Sequence, residues 1–153
     1  MKTQLIKDIL VSEPDGRLVT ICGWVRTKRD SKNLCFIQVN DGSCFATIQL
    51  TFDRENANPN NENIENTLPN VTTGASIKAT GKLIPSPASG QAVEVALETL
   101  EVLGVSPSDY PLQKKGHTVE FLRENSHLRA RTNMFGAVAR MRSEMAFDVQ
   151  SFF

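Results

Sequence analysis

The sequence has few residues of the kinds that hold metals or carry out covalent chemistry. Its three cysteines, Cys22, Cys35 and Cys44, are odd in number and form no C-x-x-C pair. This spacing argues against a disulfide framework and a zinc site, and it favours free thiols in a reducing compartment. The two histidines, His117 and His127, have no further ligand at metal-binding spacing. Because a Ser-His-Asp or Cys-His arrangement and a glycine-rich phosphate loop are also lacking, we expect no metal site and no catalysis by this chain alone.

An excess of charge and long apolar runs are lacking as well. The 17 lysines and arginines equal the 17 aspartates and glutamates. Nucleic-acid binding would therefore depend on a local basic patch and not on net charge. Lys7 and Asp8 interrupt the apolar residues near the start, which excludes the apolar region of a signal peptide, and no run is long enough for a transmembrane helix. We expect a cytoplasmic protein with no membrane partner.

Alternation of apolar and polar residues is the main signal that the sequence does contain. It predicts five β-strands at 18–26, 34–41, 45–52, 76–83 and 92–103, after a short helix at 3–10. The segment 28–33 is predicted to be a charged turn, and Asp41-Gly42 is a hairpin signal. Five strands in this order predict a mainly β fold, a five-stranded Greek-key barrel of the OB type.

Two helical segments complete the predicted fold. The Asn-rich insertion 53–73 carries Ile64 and Leu68 four residues apart, which predicts a short helix between strands three and four that plugs one end of the barrel. The Asn- and Pro-rich part of this insertion is predicted to be a solvated, mobile loop. From Asn133, a predicted N-cap, apolar residues recur at spacings of four and three and form one stripe along an amphipathic helix. The stripe consists of Met134, Val138, Met141, Met145, Val149 and Phe152.

Phe36 is an aromatic residue on the polar side of the second predicted strand. If Cys35, Ile37 and Val39 face the core, Phe36 faces outward, because strand side chains alternate. The residues expected on the same face are Trp24, Arg26, Gln38, Phe45, Thr47 and Gln49, with Lys28, Arg29 and Lys32 at its edge. A ring, amides and cations together are typical of a surface that binds single-stranded nucleic acid. The alternative is that Phe36 and Trp24 only complete the packing of the barrel.

Two stretches of the chain resemble the N-terminal part of asparaginyl-tRNA synthetases. The pattern G-W-V-x-x-x-R-D, which runs from Gly23 to Asp30, is similar to the anticodon-binding domains of aspartyl, asparaginyl and lysyl synthetases. The stretches "YPLQKKGH" and "HLRARTN" resemble the asparaginyl enzymes more narrowly. The resemblance covers most of the chain outside the Asn-rich insertion.

The resemblance implies roles for particular residues. In this group a phenylalanine, here Phe36, stacks on the middle anticodon base, which is U. A glutamine, here Gln49, hydrogen-bonds the edge of that base. It implies a contact of Arg29 with the same part of the loop. Glu94, expected on the outward face of strand five, occupies a position that recognises a flanking base, or else it is a solvated surface carboxylate. Lys28 is a candidate for a phosphate contact or is simply solvated, and the same two alternatives apply to Arg26.

The resemblance also implies that the chain is a fragment of a longer enzyme. Its catalytic domain would use ATP and Mg²⁺, but only the start of that domain is expected here, so this chain should bind tRNA without activating asparagine. The expected division is an anticodon-binding domain at 1–104, a hinge at 105–132 and the first catalytic helix at 133–153. In class II synthetases that helix lies at the interface of a homodimer.

Three alternatives stay open at this point. The chain could be a stand-alone barrel that binds any single strand, a structural module in which only the terminal helix matters, or the matching domain of an aspartyl- or lysyl-type synthetase. The first predicts binding without preference for a tRNA loop. The second predicts concentration-dependent association and no effect of Phe36→Ala on RNA binding.

Overall fold

A computed structural model describes residues 3–87 and 90–153. The chain divides into two compact units, Met1–Lys114 and Lys115–Phe153, and each is described by itself. The strands of the first unit are β1 (Leu18–Asp30), β2 (Leu34–Asn40), β3 (Ile48–Asp53), β4 (Ser76–Pro85) and β5 (Val93–Gly104). Its helices are α1 (Ile6–Leu10) and α2 (Asn61–Thr67), the latter followed by a 3₁₀ turn at Leu68–Asn70.

The five strands form a closed barrel with the order β1-β2-β3-β5-β4. All neighbouring strands are antiparallel except β3 and β5, which pair in parallel over a short stretch. The predicted five-stranded barrel with a helix between strands three and four is confirmed. The pairing of β3 with β5 closes the barrel around a single apolar core. Its largest fully buried side chains include those of Ile37, Leu50, Phe52, Ile77 and Leu83.

Strand β2 alternates as the sequence predicts. Cys35, Ile37 and Val39 are buried in the barrel, whereas Phe36 and Gln38 lie half-buried on its outer side. Burial raises the pKa of the Cys35 thiol to about 11. Cys35 is therefore a protonated core residue at neutral pH and not a reactive thiol.

The largest differences from the predicted strand boundaries are at the end of β1 and at the start of β3, and the other boundaries differ by one or two residues or agree. Strand β1 continues to Asp30, so Lys28 and Arg29 lie in the strand and not in a turn. Strand β3 begins only at Ile48, and Ala46 is exposed and not inward-facing. The amide of Asn40 explains the late start, because it donates hydrogen bonds to the carbonyls of Cys44 and Ala46 at 2.9 Å and 2.7 Å. These bonds curl the connection before the strand pairing can begin.

The insertion between β3 and β4 plugs the barrel as expected. Ile64 and Leu68 are buried and belong to the same core as the strands. The Asn-rich part is attached to β5, since the Asn58 amide donates to the carbonyls of Leu97 and Glu98 at 3.4 Å and 3.1 Å. The interpretation of this stretch as a purely solvated loop therefore missed an anchor on β5.

Helix α1 is held by the hairpin between β2 and β3. The Asp41 carboxylate accepts hydrogen bonds from the Ile6 N–H at 2.8 Å and from the Ser43 hydroxyl at 2.6 Å. Burial opposes its charge, but the bonds from the Ser43 hydroxyl and from the Ile6 and Ser43 N–H groups outweigh it and hold the pKa of Asp41 below its usual 3.8. The N-terminal helix is thus fixed by a carboxylate that must stay ionised.

Replacing Asp41 with Asn should therefore destabilise the barrel in a pH-dependent way. At neutral pH we expect Asp41→Asn to lower the free energy of unfolding by roughly 1 kcal/mol, the usual net value of a hydrogen bond lost in such a change. In acid the unfolded carboxyl takes up its proton first, so the wild-type advantage is lost as the pH falls through the lowered pKa of Asp41. Urea denaturation of both proteins across the acidic range measures this. A constant difference at every pH would contradict it.

The second unit consists of helices. It contains α3 (Val119–Glu124), a 3₁₀ turn at Arg129–Arg131 and α4 (Asn133–Phe152). Asn133 is the first helical residue and not the N-cap, because Thr132 before it has the extended backbone that a cap requires. The apolar stripe of α4 is present and exposed; its residues include Met134, Val138, Met141, Met145 and Val149. Among residues 3–87 and 90–153 there is no helix long and apolar enough to cross a bilayer.

Candidate nucleic-acid interface

Phe36 lies on the outer surface of the barrel at the centre of β2. Its register partners are Arg29 in β1 and Thr51 in β3. The Arg29 guanidinium lies over the ring, 4.9 Å from its centroid. A half-buried ring on a sheet surface offers a face on which a planar group can stack, and the guanidinium is itself such a group.

A β-bulge at Arg26 brings Arg29 opposite Phe36. Val25 pairs with Val39 and Thr27 pairs with Gln38, so Arg26 is the extra residue in β1. In a regular strand Arg29 would share the inward face with Val25, because positions 25, 27 and 29 lie on the same side. The bulge reverses this parity and turns Arg29 outward.

Two glutamine amides lie beside Phe36. Gln38 in β2 and Gln49 in β3 are register partners, and both are half-buried. The Thr27 hydroxyl donates to the Gln38 carbonyl at 3.1 Å. The Gln49 amide nitrogen donates to the Glu94 carboxylate at 3.1 Å. Both amides are therefore oriented by neighbours on β1 and β5.

The burial of Glu94 rules out one of the two alternatives that the sequence left open for it. It is only 4% exposed, so it is not a solvated surface carboxylate. Besides Gln49, the Ser86 hydroxyl and the Gln91 amide donate to the same carboxylate oxygen, Oε2, at 3.1 Å and 3.3 Å. A buried carboxylate with several donors is a fixed part of the protein interior.

The remaining predicted site residues occupy different positions. The Lys28 ammonium donates to the carbonyl of Leu68 at 2.7 Å, which ties β1 to the plug of the barrel. Arg26 is half-buried at the bulge, and Lys32 is exposed in the turn before β2. Trp24 precedes these residues in β1 and lies opposite Asn40 and Ser76.

Phe45 and Thr47 lie outside the strand in which they were predicted. They belong to the connection that precedes Ile48, and Phe45 is 53% exposed. The structure thus brings together Phe36, Arg29, Gln38, Gln49 and Glu94.

Arg54 supports the group but was not among the predicted residues. It forms an ion pair with Asp30 at 2.9 Å, a bidentate contact with Glu65 in α2, and a 2.6 Å hydrogen bond to the carbonyl of Ser31. The Glu65 carboxylate raises the pKa of Arg54, and Asp30 does so as well. These contacts fix the β1–β2 turn next to Arg29. The signal in the sequence is weak, because Arg54 begins a stretch that otherwise resembles a solvated insertion.

Within the described ranges, no group of three histidine, cysteine, aspartate or glutamate side chains could hold a metal ion. The site is built from the ring of Phe36, the amides of Gln38 and Gln49, the buried carboxylate of Glu94 and the guanidinium of Arg29. A closed barrel that presents these groups on the outer face of β2 and β3 has the arrangement of a domain that binds single-stranded nucleic acid. The comparisons agree, since residues 19–103 match the family described as OB-fold nucleic acid binding domain, and the chain belongs to this family.

The chain is also similar to particular proteins. It is 56% identical to the asparagine–tRNA ligase of Treponema denticola over 97% of this chain, which is 31% of that protein. This supports the resemblance to asparaginyl-tRNA synthetases that its motifs predicted. The chain therefore spans about a third of the length of such curated relatives.

Solved structures share the fold. The asparaginyl-tRNA synthetase of Pyrococcus horikoshii superposes with a TM-score of 0.81 at 20% identity, over 99% of this chain and 35% of that one. A putative aspartyl-tRNA synthetase from Leishmania major gives a TM-score of 0.82 at 16% identity, over 99% of this chain and 32% of that one. Because both types superpose equally well, the fold alone does not distinguish them.

Proposed function

We propose that this chain is the anticodon-binding part of an asparagine–tRNA ligase, whose full-length form attaches asparagine to its tRNA with ATP during translation in the cytoplasm. The identity to a protein of that name, 56% over 97% of this chain, supports the assignment. The observation that carries it is the juxtaposition of Phe36, Arg29 and Gln49 on one outer face of the barrel.

The proposed interaction begins with the middle anticodon base, U. This base stacks on the face of the Phe36 ring that the Arg29 guanidinium covers in the free protein. The base replaces the guanidinium there because both groups are planar and can stack on the ring. The displaced guanidinium is then free to pair with the base edge or a phosphate of the loop. Gln49 hydrogen-bonds the edge of the stacked base. Stacking supplies affinity, and the amide supplies the preference for one base.

The cations near this face have separate roles in the proposal. Lys28 is used structurally, because its ammonium is bonded to the Leu68 carbonyl at 2.7 Å. Lys32 and Arg26 are the candidates for phosphate contacts, since Lys32 is exposed in the turn beside Phe36 and Arg26 lies at the bulge. Phosphate contacts position the loop without distinguishing its sequence.

The second unit is proposed to start the catalytic part of the full-length protein. In this proposal 1–104 is the anticodon-binding domain, 105–132 the hinge and 133–153 the first catalytic helix. The exposed stripe of α4 supports a role in a homodimer of the full-length protein, because an apolar helix face of this length is usually covered. ATP and Mg²⁺ would bind outside the residues described, which hold no metal-ligand cluster.

A titration with two RNA stem-loops tests the proposal. An asparagine-type anticodon stem-loop is compared, at low salt, with the same loop carrying C in place of the middle U. Low salt is chosen because phosphate contacts weaken as salt rises. We expect tighter binding of the U loop, and we expect Gln49→Ala to reduce that preference more than it reduces affinity. Equal binding of both loops by the wild type would overturn the proposal and indicate a barrel that binds any single strand.

A further inference from the structure

We propose that Glu94 is a positioning residue, which fixes the amide of Gln49 so that its carbonyl faces the base and thereby sets the preference for U over C. This inference rests on the proposed function and deepens it. Glu94 acts through Gln49 and does not itself contact the base.

The geometry around Glu94 is that of a fixed acceptor. Its Oε2 atom receives the Gln49 amide N–H at 3.1 Å, the Ser86 hydroxyl at 3.1 Å and the Gln91 amide N–H at 3.3 Å. Gln91 also donates to the Ser86 hydroxyl at 2.9 Å, so the donors support one another. The side chain is 4% exposed. A carboxylate held in this way has little freedom to move toward or away from Gln49.

The chemistry of a carboxylate decides which way the Gln49 amide points. An ionised carboxylate can only accept hydrogen bonds, whereas an amide has a donor end and an acceptor end. If the Gln49 amide turned over, its carbonyl oxygen would face the Glu94 Oε2 atom, and both atoms are acceptors. The free-energy cost of this unpaired contact is larger than the gain from a hydrogen bond that the NH₂ group would make elsewhere. One N–H of the Gln49 NH₂ group is therefore held by Glu94, and the carbonyl is the acceptor that Gln49 offers to a ligand.

The amide of Gln38 has a weaker orienting partner than the amide of Gln49. Its carbonyl accepts from the Thr27 hydroxyl at 3.1 Å. A hydroxyl can donate or accept, so Thr27 can follow the Gln38 amide if that amide turns. The Gln38 amide is thus adaptable, while the Gln49 amide is locked. A preference for one base requires a locked group, because an adaptable one can satisfy two different base edges.

The locked carbonyl distinguishes the two pyrimidines at ring position 3. Uracil has an N–H there that can donate to the Gln49 carbonyl, whereas cytosine has a lone pair that faces it without a proton. If the Gln49 amide could turn over, it would donate to the cytosine lone pair and the distinction would be reduced. Glu94 thus acts on specificity more than on affinity.

The test compares Glu94→Gln with Glu101→Gln, using the U and C stem-loops. Both changes convert a carboxylate to an amide on β5, but Glu101 is exposed and lies opposite Lys78 of β4, near the end of the strand. A glutamine at 94 can donate as well as accept, so it permits both orientations of Gln49. We expect Glu94→Gln to reduce the U-over-C affinity ratio about five- to tenfold, with a smaller change in affinity for the U loop. Glu101→Gln should keep the wild-type ratio.

A second measurement reports on the amide directly. The ¹⁵N side-chain signal of Gln49 in the free protein should shift in Glu94→Gln and stay in place in Glu101→Gln. If Glu94→Gln does not fold, Ser86→Ala removes one donor to Oε2 and should lower the ratio by a smaller factor.

The outcomes separate the two proposals. A wild type that does not prefer the U loop would overturn the proposed function together with the role of Glu94. The role of Glu94 alone would be overturned if the wild type prefers the U loop but Glu94→Gln changes neither that preference nor the Gln49 signal. In the fallback experiment, an unchanged preference in Ser86→Ala would overturn it in the same way.

Discussion

Replacing Phe36 with Ala should weaken binding of the asparagine-type stem-loop by roughly 1–3 kcal/mol, the usual contribution of one base stacked on an aromatic ring. This corresponds to a loss of about five- to 150-fold in affinity. The ring lies half-buried on the outer face of the barrel, with the Arg29 guanidinium over it. Its removal therefore takes away the stacking surface and leaves the core in place. Fluorescence anisotropy at low salt measures the change, and thermal melting checks that the barrel stays folded.

Phe45→Ala is the matched control for this change. Phe45 is also an exposed aromatic residue, 53% accessible, but it lies in the connection before β3 and not on the strand face. We expect its replacement to leave the affinity nearly unchanged. If Phe45→Ala weakened binding as much as Phe36→Ala, the RNA would not be recognised by the strand face around Phe36 alone.

Replacing Gly81 with Ala should lower the free energy of unfolding by about 3 kcal/mol, because the new methyl group has no space. A Cβ at this position would lie 2.1 Å from the carbonyl oxygen of Ala96 and 2.8 Å from the side chain of Val95. Strand β5 has an extra residue, Glu98, opposite the step from Thr80 to Gly81, and this brings the β5 backbone against Gly81. Neither backbone can move without opening the barrel. Denaturant titration of both proteins measures the effect.

Gly104→Ala provides the control on the partner strand. A Cβ there would meet only the hydroxyl of Ser76, at 2.8 Å, and that hydroxyl can rotate away. We expect a change within about 0.5–1 kcal/mol. Equal losses in the two variants would mean that the β4–β5 pairing is less tightly packed than the distances indicate.

The regular parts of the fold could be predicted because they follow from side-chain alternation. In β2, the burial of Cys35, Ile37 and Val39 and the outward position of Phe36 follow directly from a period of two. The helical plug followed from Ile64 and Leu68 at a spacing of four. In each case the signal depends only on local periodicity and on the apolar character of the side chains.

The irregular parts could not be predicted because they depend on tertiary contacts. Arg29 was expected at the edge of the binding face in a charged turn, because the first strand was predicted to end at Arg26. The bulge between Val25 and Thr27, which turns Arg29 outward within β1, depends on the pairing of β1 with β2. The late start of β3 depends on the Asn40 side chain, whose acceptors lie several residues away.

Glu94 shows the same limit within the candidate site. Its outward position on β5 follows from alternation, but its burial depends on Gln49 from β3 and on Ser86 and Gln91 from the connection before β5. Lys28 is similar, because its partner Leu68 lies forty residues away. A single sequence gives the residue types of such contacts but not the pairs.

Photo-crosslinking tests the central claim most directly. A stem-loop with 5-iodouridine as the middle anticodon base is bound at low salt and irradiated, and the modified residue is located by mass spectrometry. Because a halogenated base reacts with the aromatic ring on which it is stacked, we expect the adduct on Phe36. An adduct on Trp24, on Phe45 or within the second unit, with none on Phe36, would contradict the account.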